Sequence, residues 1–166
     1  MARRRSRSTF ADSLATFARD TAGQGNWGNP GLGKILHGVK PDEAAWKSSP
    51  GAHSIWEEIN HIAYWSRFTL NYLKGRAKAT RQAWPVGRGG AAEWQRDQSE
   101  ASRLHDELVR RVAALDDAAL TVRAKPTPYT TAHLILGCAS HIAYHVGQIA
   151  VIRKLYRHAR RPRKAV

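Results

Sequence analysis

The sequence predicts an all-α protein built around four long helices, and three observations lead to this prediction. Apolar residues recur every three or four positions over four long segments, which places them on one face of a helix. Segments rich in glycine and proline separate the long ones, and these residues break regular structure. No segment shows the apolar–polar alternation of a half-buried strand. Four amphipathic helices bury their apolar faces against one another, so we expect a bundle with short connecting helices.

The first long helix is predicted to begin after Ser8 or Thr9, either of which can cap it, and to end at Gly23. Its stripe follows helical spacing: Phe10, Leu14, Phe17 and Thr21. A loop rich in glycine and asparagine follows at residues 25–31. The loop carries Trp27, which either packs on the core or lines a pocket, and we expect packing.

Two short helical segments are predicted next, from Leu32 to His37 and from Pro41 to Trp46. The second long helix begins with a capping box, in which Ser54 accepts from the backbone of Glu57 and the carboxylate reaches back. It is predicted to run to about Lys74. Its isoleucine face suffices for ordinary packing: Ile55, Ile59, Ile62 and Leu73.

The other face of this helix carries His61 between acidic and aromatic residues. Glu57 and Glu58 precede the histidine by about one turn, and the aromatic residues follow it: Tyr64, Trp65, Phe68 and Tyr72. We therefore expect this face to form the wall of a cavity.

The third long helix is predicted from Ala91 to Leu115, after a polar loop at residues 76–90. Its apolar residues are Trp94, Ala101, Leu104, Leu108, Val112 and Leu115. His105 lies at the edge of this stripe, and we expect it at the surface or at a boundary. A connector from Asp116 to Pro128 joins this helix to the fourth long helix.

The fourth long helix, capped by Thr130 or Thr131 and running to Tyr156, carries His141 and His145 one turn apart. A helical wheel groups these histidines with Leu134, Gly137, Cys138, Gln148, Ile152 and Leu155. The pair is thus predicted in the middle of a buried stripe, where an unpaired polar group costs about 1–3 kcal/mol. A shared metal ion is one partner that satisfies both rings.

A pair of histidines at this spacing also arises by chance. A third histidine in a similar setting strengthens the prediction of a metal site. The segment around His61, residues 60–65, nearly repeats the segment around His141, residues 140–145. Three histidines from two helices can converge on one ion. Sites with three protein nitrogens and an open position are the catalytic arrangement of zinc, whereas closed four-ligand sites are structural.

Length and composition predict a single domain at residues 9–158 with basic tails at residues 1–8 and 159–166. The net charge is +14, but four arginines near the start and seven basic residues from Arg153 onward leave only about +3 for the body. Solvated tails explain this excess, so nucleic-acid binding is disfavoured. The single cysteine excludes an internal disulfide. With no signal peptide and no long apolar run, we expect a cytoplasmic protein that does not span a membrane.

The sequence resembles the DinB-like superfamily, which includes YfiT-type proteins classed as metal-dependent hydrolases. The resemblance rests on residues 50–57 leading to His61, and on residues 141–149 followed by Arg153. It implies an up-down four-helix bundle, often a homodimer. It also implies a divalent ion such as zinc or nickel on three histidines, which match His61, His141 and His145.

The resemblance leaves the reaction open among hydrolysis, thiol S-transfer and metal or ligand binding without turnover. Ile142 stands where the His-Glu-x-x-His motif needs its glutamate, so that motif is absent. Glu57 and Glu58 are the acidic candidates for a base on the face of His61, and Glu57 is also a helix cap. Gln148 either orients water or substrate, or is an ordinary boundary residue. Cys138 is a candidate fourth ligand, although packing is the favoured role.

An open cavity over the metal would separate an enzyme from a binding protein, whose metal would be plugged. We expect Trp65, Phe68 and Tyr144 to line such a cavity. The substrate cannot be identified from the sequence.

Overall fold

The computed structural model describes residues 9–76, 84, 89–125 and 127–161, and within these residues the regular structure is helical. The helices are α1 Phe10–Ala22, α2 Leu32–Leu36, α3 Pro41–Ala45, α4 Ile55–Leu73, α5 Ala91–Ala113, α6 Asp117–Thr121 and α7 Thr131–Ala159. The described residues contain no strand and only two isolated β-bridges. The all-α prediction is confirmed. The helix α6 lies inside the predicted connector and was not foreseen.

The four long helices pack in a closed ring. α1 packs on α5 and α7, and α4 packs on the same two helices. This pairing is compatible with the predicted up-down four-helix bundle. The short helices α2 and α3 pack at the margins of the ring, α2 against α7 and α3 against α4 and α5.

Local sequence explains where the long helices begin. At α4, the Glu57 backbone N–H donates to Ser54 Oγ at 3.2 Å, and the Ser54 N–H donates to Glu57 Oε2 at 2.8 Å, so the predicted capping box is confirmed. Thr9 and Asp12 form an equivalent box at α1. Gly75, with φ of 67°, follows the end of α4 in the left-handed region that favours glycine.

The core combines the isoleucine face of α4 with the inward face of α7. Ile55, Ile59 and Ile62 are buried as predicted, while Leu73 is half-buried at the end of the helix. On α7 the most buried residues lie along one stripe: Ile135, Ala139, Ile142, Val146 and Ile149. This stripe faces α1 and α4 together and anchors α7 in the bundle.

The prediction that Trp27 packs on the core is wrong, because its side chain is fully exposed. The loop around it is held by its own hydrogen bonds. Asn26 Oδ1 accepts from the Gly28 N–H at 3.1 Å and from Asn29 Nδ2 at 2.9 Å. Gly25 has a φ of 98° and leaves no room for a Cβ, which would lie 2.4 Å from the Asn29 carbonyl oxygen. The loop therefore closes on itself and keeps Trp27 away from the helices.

The prediction that His105 lies at the surface or at a boundary is also wrong. Its side chain is 5% exposed, and neither ring nitrogen has a hydrogen-bond partner in the part of the chain that the structure describes. Burial lowers the pKa of His105, while the charge of Asp106 and the backbone of Ala18 act in the opposite direction. α5 packs on α1 and α4 at once, so its buried face is wider than one apolar stripe.

The length and composition of α7 are those of a membrane-spanning helix, with a mean hydropathy of 1.4 in its most apolar window. Its inner face is nevertheless built into the core of the bundle, and a core helix passes the same test. A membrane location is therefore not indicated. The cytoplasmic location, the homodimer and the domain limits at residues 9 and 158 stay predictions, and residues 1–8 and 162–166 lie outside the described part.

A buried ion pair joins α7 to the two short helices before α4. Arg153 Nε lies 2.8 Å from Glu43 Oε1, and both side chains are largely buried. The same guanidinium donates to the backbone carbonyl oxygens of Ile35 and His37. Arg153 therefore compensates one buried carboxylate and two carbonyl groups in the α2–α3 segment.

Replacing Arg153 with leucine is expected to destabilise the protein by about 3–5 kcal/mol, because the Glu43 carboxylate stays buried without its partner. The melting temperature should fall by roughly 10 °C. Lys154→Leu, at the exposed neighbouring position, is the matched control and should change the melting temperature little. Equal melting temperatures for the two variants would show that the ion pair does not hold the segment.

Replacing His105 with leucine is expected to stabilise the protein by about 1 kcal/mol at neutral pH, because it removes a buried polar group that has no partner. The pKa of His105 lies below its ordinary value of 6.5 in the folded state, so acid protonates the unfolded chain first. The histidine therefore lowers the free energy of unfolding as the pH falls below about 6.5. The difference in stability between the leucine variant and the wild type should increase over the same range.

Thermal melts at pH 7.5 and pH 5 measure this difference. His158→Leu, at an exposed position on α7, is the control. If the melting temperature falls by the same amount between pH 7.5 and pH 5 in the wild type and in His105→Leu, the prediction is contradicted.

Candidate metal centre

The structure brings together the three histidines that the sequence singled out. α4 contributes His61 and α7 contributes His141 and His145, one turn apart. Nε2 of His141 lies 3.1 Å from Nε2 of His61 and 2.9 Å from Nε2 of His145. One nitrogen from each ring lies within 4.8 Å of the other two, so the group can hold a metal ion.

These short separations fit a shared ion better than they fit hydrogen bonds alone. Two nitrogens bound to one ion at about 2.0–2.1 Å lie roughly 3 Å apart. Nδ1 of His145 contacts the carboxylate of Glu58, and a hydrogen on Nδ1 leaves Nε2 of that neutral ring as an acceptor. His141 Nε2 contacts both His61 Nε2 and His145 Nε2, and at most one hydrogen can then lie in these two contacts. At least one contact would therefore bring two lone pairs together. A cation satisfies all three nitrogens.

Electrostatics also favour a neutral ring at His141. Burial, with the neighbouring rings of His145 and His61 acting in the same direction, lowers the pKa of His141 to about 4. At neutral pH the ring is therefore uncharged and keeps a lone pair. Neutral imidazole is the form of histidine that binds metal ions.

The predicted position of the pair in the middle of the buried stripe of α7 is wrong. The centre of that stripe is Ile142, while His145 is buried at its edge and His141 is half-buried. Gly137 and Leu155, which the helical wheel placed beside the histidines, are exposed. α7 packs on both α1 and α4, so its central stripe faces both helices and the histidines face α4.

Glu58 is the acidic residue that reaches the histidines. Its carboxylate is buried and contacts Nδ1 of His145, across the interface between α4 and α7. A carboxylate in this position fixes the tautomer and the orientation of a histidine whose other nitrogen faces a metal. The sequence placed Glu57 and Glu58 together one turn before His61 and could not decide which of them turns inward.

Glu57 is held in its role as a helix cap. One carboxylate oxygen accepts from the Ser54 N–H, and the other lies 2.9 Å from Lys47 Nζ. Burial alone would raise the pKa of Glu57, but the hydrogen bonds from Ser54 and Lys47 outweigh it and hold the pKa below its usual value. The structure does not bring this carboxylate to the histidines, and its predicted catalytic role stays untested.

Two further candidates lie on α7. Cys138 is buried one turn before His141, and burial raises the pKa of its thiol, so it is uncharged at neutral pH. The group of described side chains that could hold an ion consists of the three histidines and does not include Cys138, which favours the packing role over that of a fourth ligand. Gln148 is half-buried one turn after His145 and lines a cleft beside that histidine.

Trp84 covers His61 and was not predicted as a site residue. Its ring stacks on His61 at 3.7 Å between ring centroids and on His53 at 3.8 Å. It lies between two stretches outside the described residues, in the polar loop, where no periodicity marks it. The sequence feature that could have indicated it is the presence of a tryptophan in a segment rich in glycine and basic residues.

Two clefts border the histidine cluster, one at His141 and the other at His145. The His141 cleft, of about 290 Å³, is lined by Trp65, Phe68, Tyr129, Leu134, Gly137 and His141, with Thr69, His133 and Cys138. The His145 cleft, of about 440 Å³, is lined by His53, Glu58, Trp84, Tyr144, His145 and Gln148, with Ser48 and Ala52 before α4 and Val151, Ile152 and Leu155 on α7. The three residues expected to line a cavity thus lie in two clefts, with Tyr144 apart from Trp65 and Phe68.

Comparison with known families agrees with this architecture. The profile of the DinB superfamily matches residues 31–149, which include all three histidines and Glu58. The match covers well over half of the chain, and the chain belongs to the DinB superfamily. Comparisons with curated proteins and with solved structures gave no match.

Proposed function

We propose that the protein is a metal-dependent hydrolase whose divalent ion is held by His61, His141 and His145. The convergence of the three Nε2 atoms at 2.9 and 3.1 Å carries this proposal. Zinc and nickel suit three imidazole ligands. With three protein nitrogens, the ion keeps an open position and supplies a Lewis acid and an acidified water.

The residues around the ion have separate roles in this proposal. Glu58 accepts the hydrogen of His145 Nδ1 and so keeps the lone pair of Nε2 directed at the cluster. Gln148 lines the His145 cleft and offers an amide donor and an acceptor to water or substrate there. Trp84 lies over His61 and limits the access of solvent from its side.

The open clefts favour an enzyme over a protein that only stores or binds a metal. One cleft includes His141 in its wall and the other includes His145, so a substrate can approach the cluster from either side. A plugged site would offer no such approach. Hydrolysis needs only water as the second reactant, and both clefts are open to solvent.

Metal content and turnover test the proposal directly. The purified protein, reconstituted with zinc or nickel, should bind about one ion per chain by elemental analysis and should hydrolyse esters or amides in a substrate panel. The panel includes pairs of a thiol and an electrophile, and turnover only with these pairs would replace hydrolysis by thiol S-transfer. If the protein binds one ion per chain but turns over no substrate in the panel, it is a metal-binding protein and the proposed enzyme activity is rejected.

Chelation is expected to lower the melting temperature of the metal-loaded wild type, because the ion joins α4 to α7 and its binding is linked to folding. His141→Ala should bind metal weakly and respond little to the chelator. His158→Ala, at an exposed position on the same helix, should behave as the wild type. The metal loading of the wild type is confirmed first. If its melting temperature is then the same with and without chelator, no ion stabilises the packing of α4 on α7.

Neighbouring glutamates give a matched pair of variants. Glu58→Gln is expected to weaken metal binding by about 10–100-fold, because the amide holds the His145 ring less firmly than the carboxylate does. Glu57→Gln should lower stability through the helix cap and the contact with Lys47, while its metal affinity stays unchanged. Calorimetric titration with zinc and thermal melts separate the two effects. Loss of turnover in Glu57→Gln with normal metal affinity would instead support the predicted catalytic role of Glu57.

A further inference from the structure

The two clefts at the histidines differ in chemical character. The His145 cleft contains the carboxylate of Glu58, the amide of Gln148 and the ring of His53. The His141 cleft has no Asp, Glu, Lys or Arg among its described lining residues. A ligand that occupies both clefts therefore meets a carboxylate and an amide in one cleft and a mainly aromatic wall without Asp, Glu, Lys or Arg in the other.

Aromatic rings that support one another form the wall of the His141 cleft. Trp65 packs edge-on against Phe68 at 5.1 Å between ring centroids and against His141 at 5.9 Å. Tyr129 stacks on His133 at 4.3 Å. These contacts hold the rings in place before any ligand binds, and Tyr129 stays 46% exposed. Exposed aromatic surface arranged around a concave space is typical of ligand sites.

The polar side chains on the floor of this cleft offer little to a charged ligand. Burial raises the pKa of the Cys138 thiol, and a hydrogen bond with Thr69 acts in the opposite direction without reversing the shift. The thiol is therefore neutral, and both side chains are buried. An anionic group that entered the cleft would lose water without meeting a lysine or an arginine, and a cationic group without meeting a carboxylate, among the described lining residues.

We propose that the His141 cleft binds an uncharged aromatic portion of the substrate, with the reacting group placed at the three histidines. This inference rests on the proposed function and names its substrate class: an aryl or arylalkyl ester or amide. The cleft of about 290 Å³ accommodates a phenyl ring and a short linker, since a cavity of roughly 150 Å³ holds benzene. The polar end of the same substrate extends into the His145 cleft.

Gly137 makes the cleft testable without damage to the fold. It lines the cleft, its position on α7 is exposed, and a Cβ built on it meets no heavy atom within 4 Å. Leucine at this position fills the cleft and favours the helix more than glycine does. Gly147 is equally open on the same helix and lines neither cleft, so Gly147→Leu is the matched control.

The experiment measures hydroxamate binding to the zinc-loaded protein by calorimetry. Acetohydroxamate reports the metal alone, and phenylacetohydroxamate adds the aromatic ring. We expect the aromatic compound to bind at least about tenfold more tightly, as the burial of a phenyl ring predicts. Gly137→Leu should lose this advantage and keep the affinity for acetohydroxamate, whereas Gly147→Leu should keep both. A carboxylate on the phenyl ring should remove the advantage in the wild type.

A probe without a metal-binding group separates this inference from the proposed function. Benzyl alcohol, followed by ligand-observed NMR on the metal-free protein, should bind the wild type and Gly147→Leu but not Gly137→Leu. If acetohydroxamate binds and the phenyl ring adds nothing, the inference is overturned and the metal site stands. If the protein takes up neither zinc nor nickel, the proposed function fails, and the benzyl alcohol result alone decides whether the cleft binds aromatic groups.

Discussion

The contact between Glu58 and His145 sets the relation between α4 and α7 on which the candidate site depends. Both side chains are buried, so each needs the other as a polar partner. The contact fixes the ring of His145 and thereby the direction of Nε2. Because His61 lies one turn after Glu58 on the same helix, the same register carries its ring to His141.

A second polar contact holds the other end of α7. Arg153 follows His145 by about two turns and pairs with Glu43 in the segment before α4. Along the same helix, α7 buries its apolar stripe from Ile135 to Ile149 against α1 and α4. The apolar stripe supplies the burial that holds the helix, and the two polar contacts specify its rotation and its position along the bundle.

The histidines lie at the margin of the core, and this location suits chemistry better than the centre would. A ring in the middle of the stripe would be sealed from substrate. At the margin, His145 stays buried beside Glu58 while His141 remains half-buried in the wall of the His141 cleft. Burial lowers the pKa of His141 and keeps it neutral, and partial exposure keeps the cluster accessible.

Much of this architecture could be predicted because it depends on residues close together in the sequence. The 3.6-residue repeat predicted the four long helices, the capping box at Ser54 predicted the start of α4, and the spacing of His141 and His145 placed both rings on one face. Tertiary packing decided the rest. It turned Glu58 rather than Glu57 toward the histidines, buried His105, left Trp27 exposed and placed Trp84 over His61. Helical periodicity gives the direction of a side chain relative to its own helix axis, but its neighbours depend on how the helices rotate against one another, and that rotation is set by burial summed over the whole core.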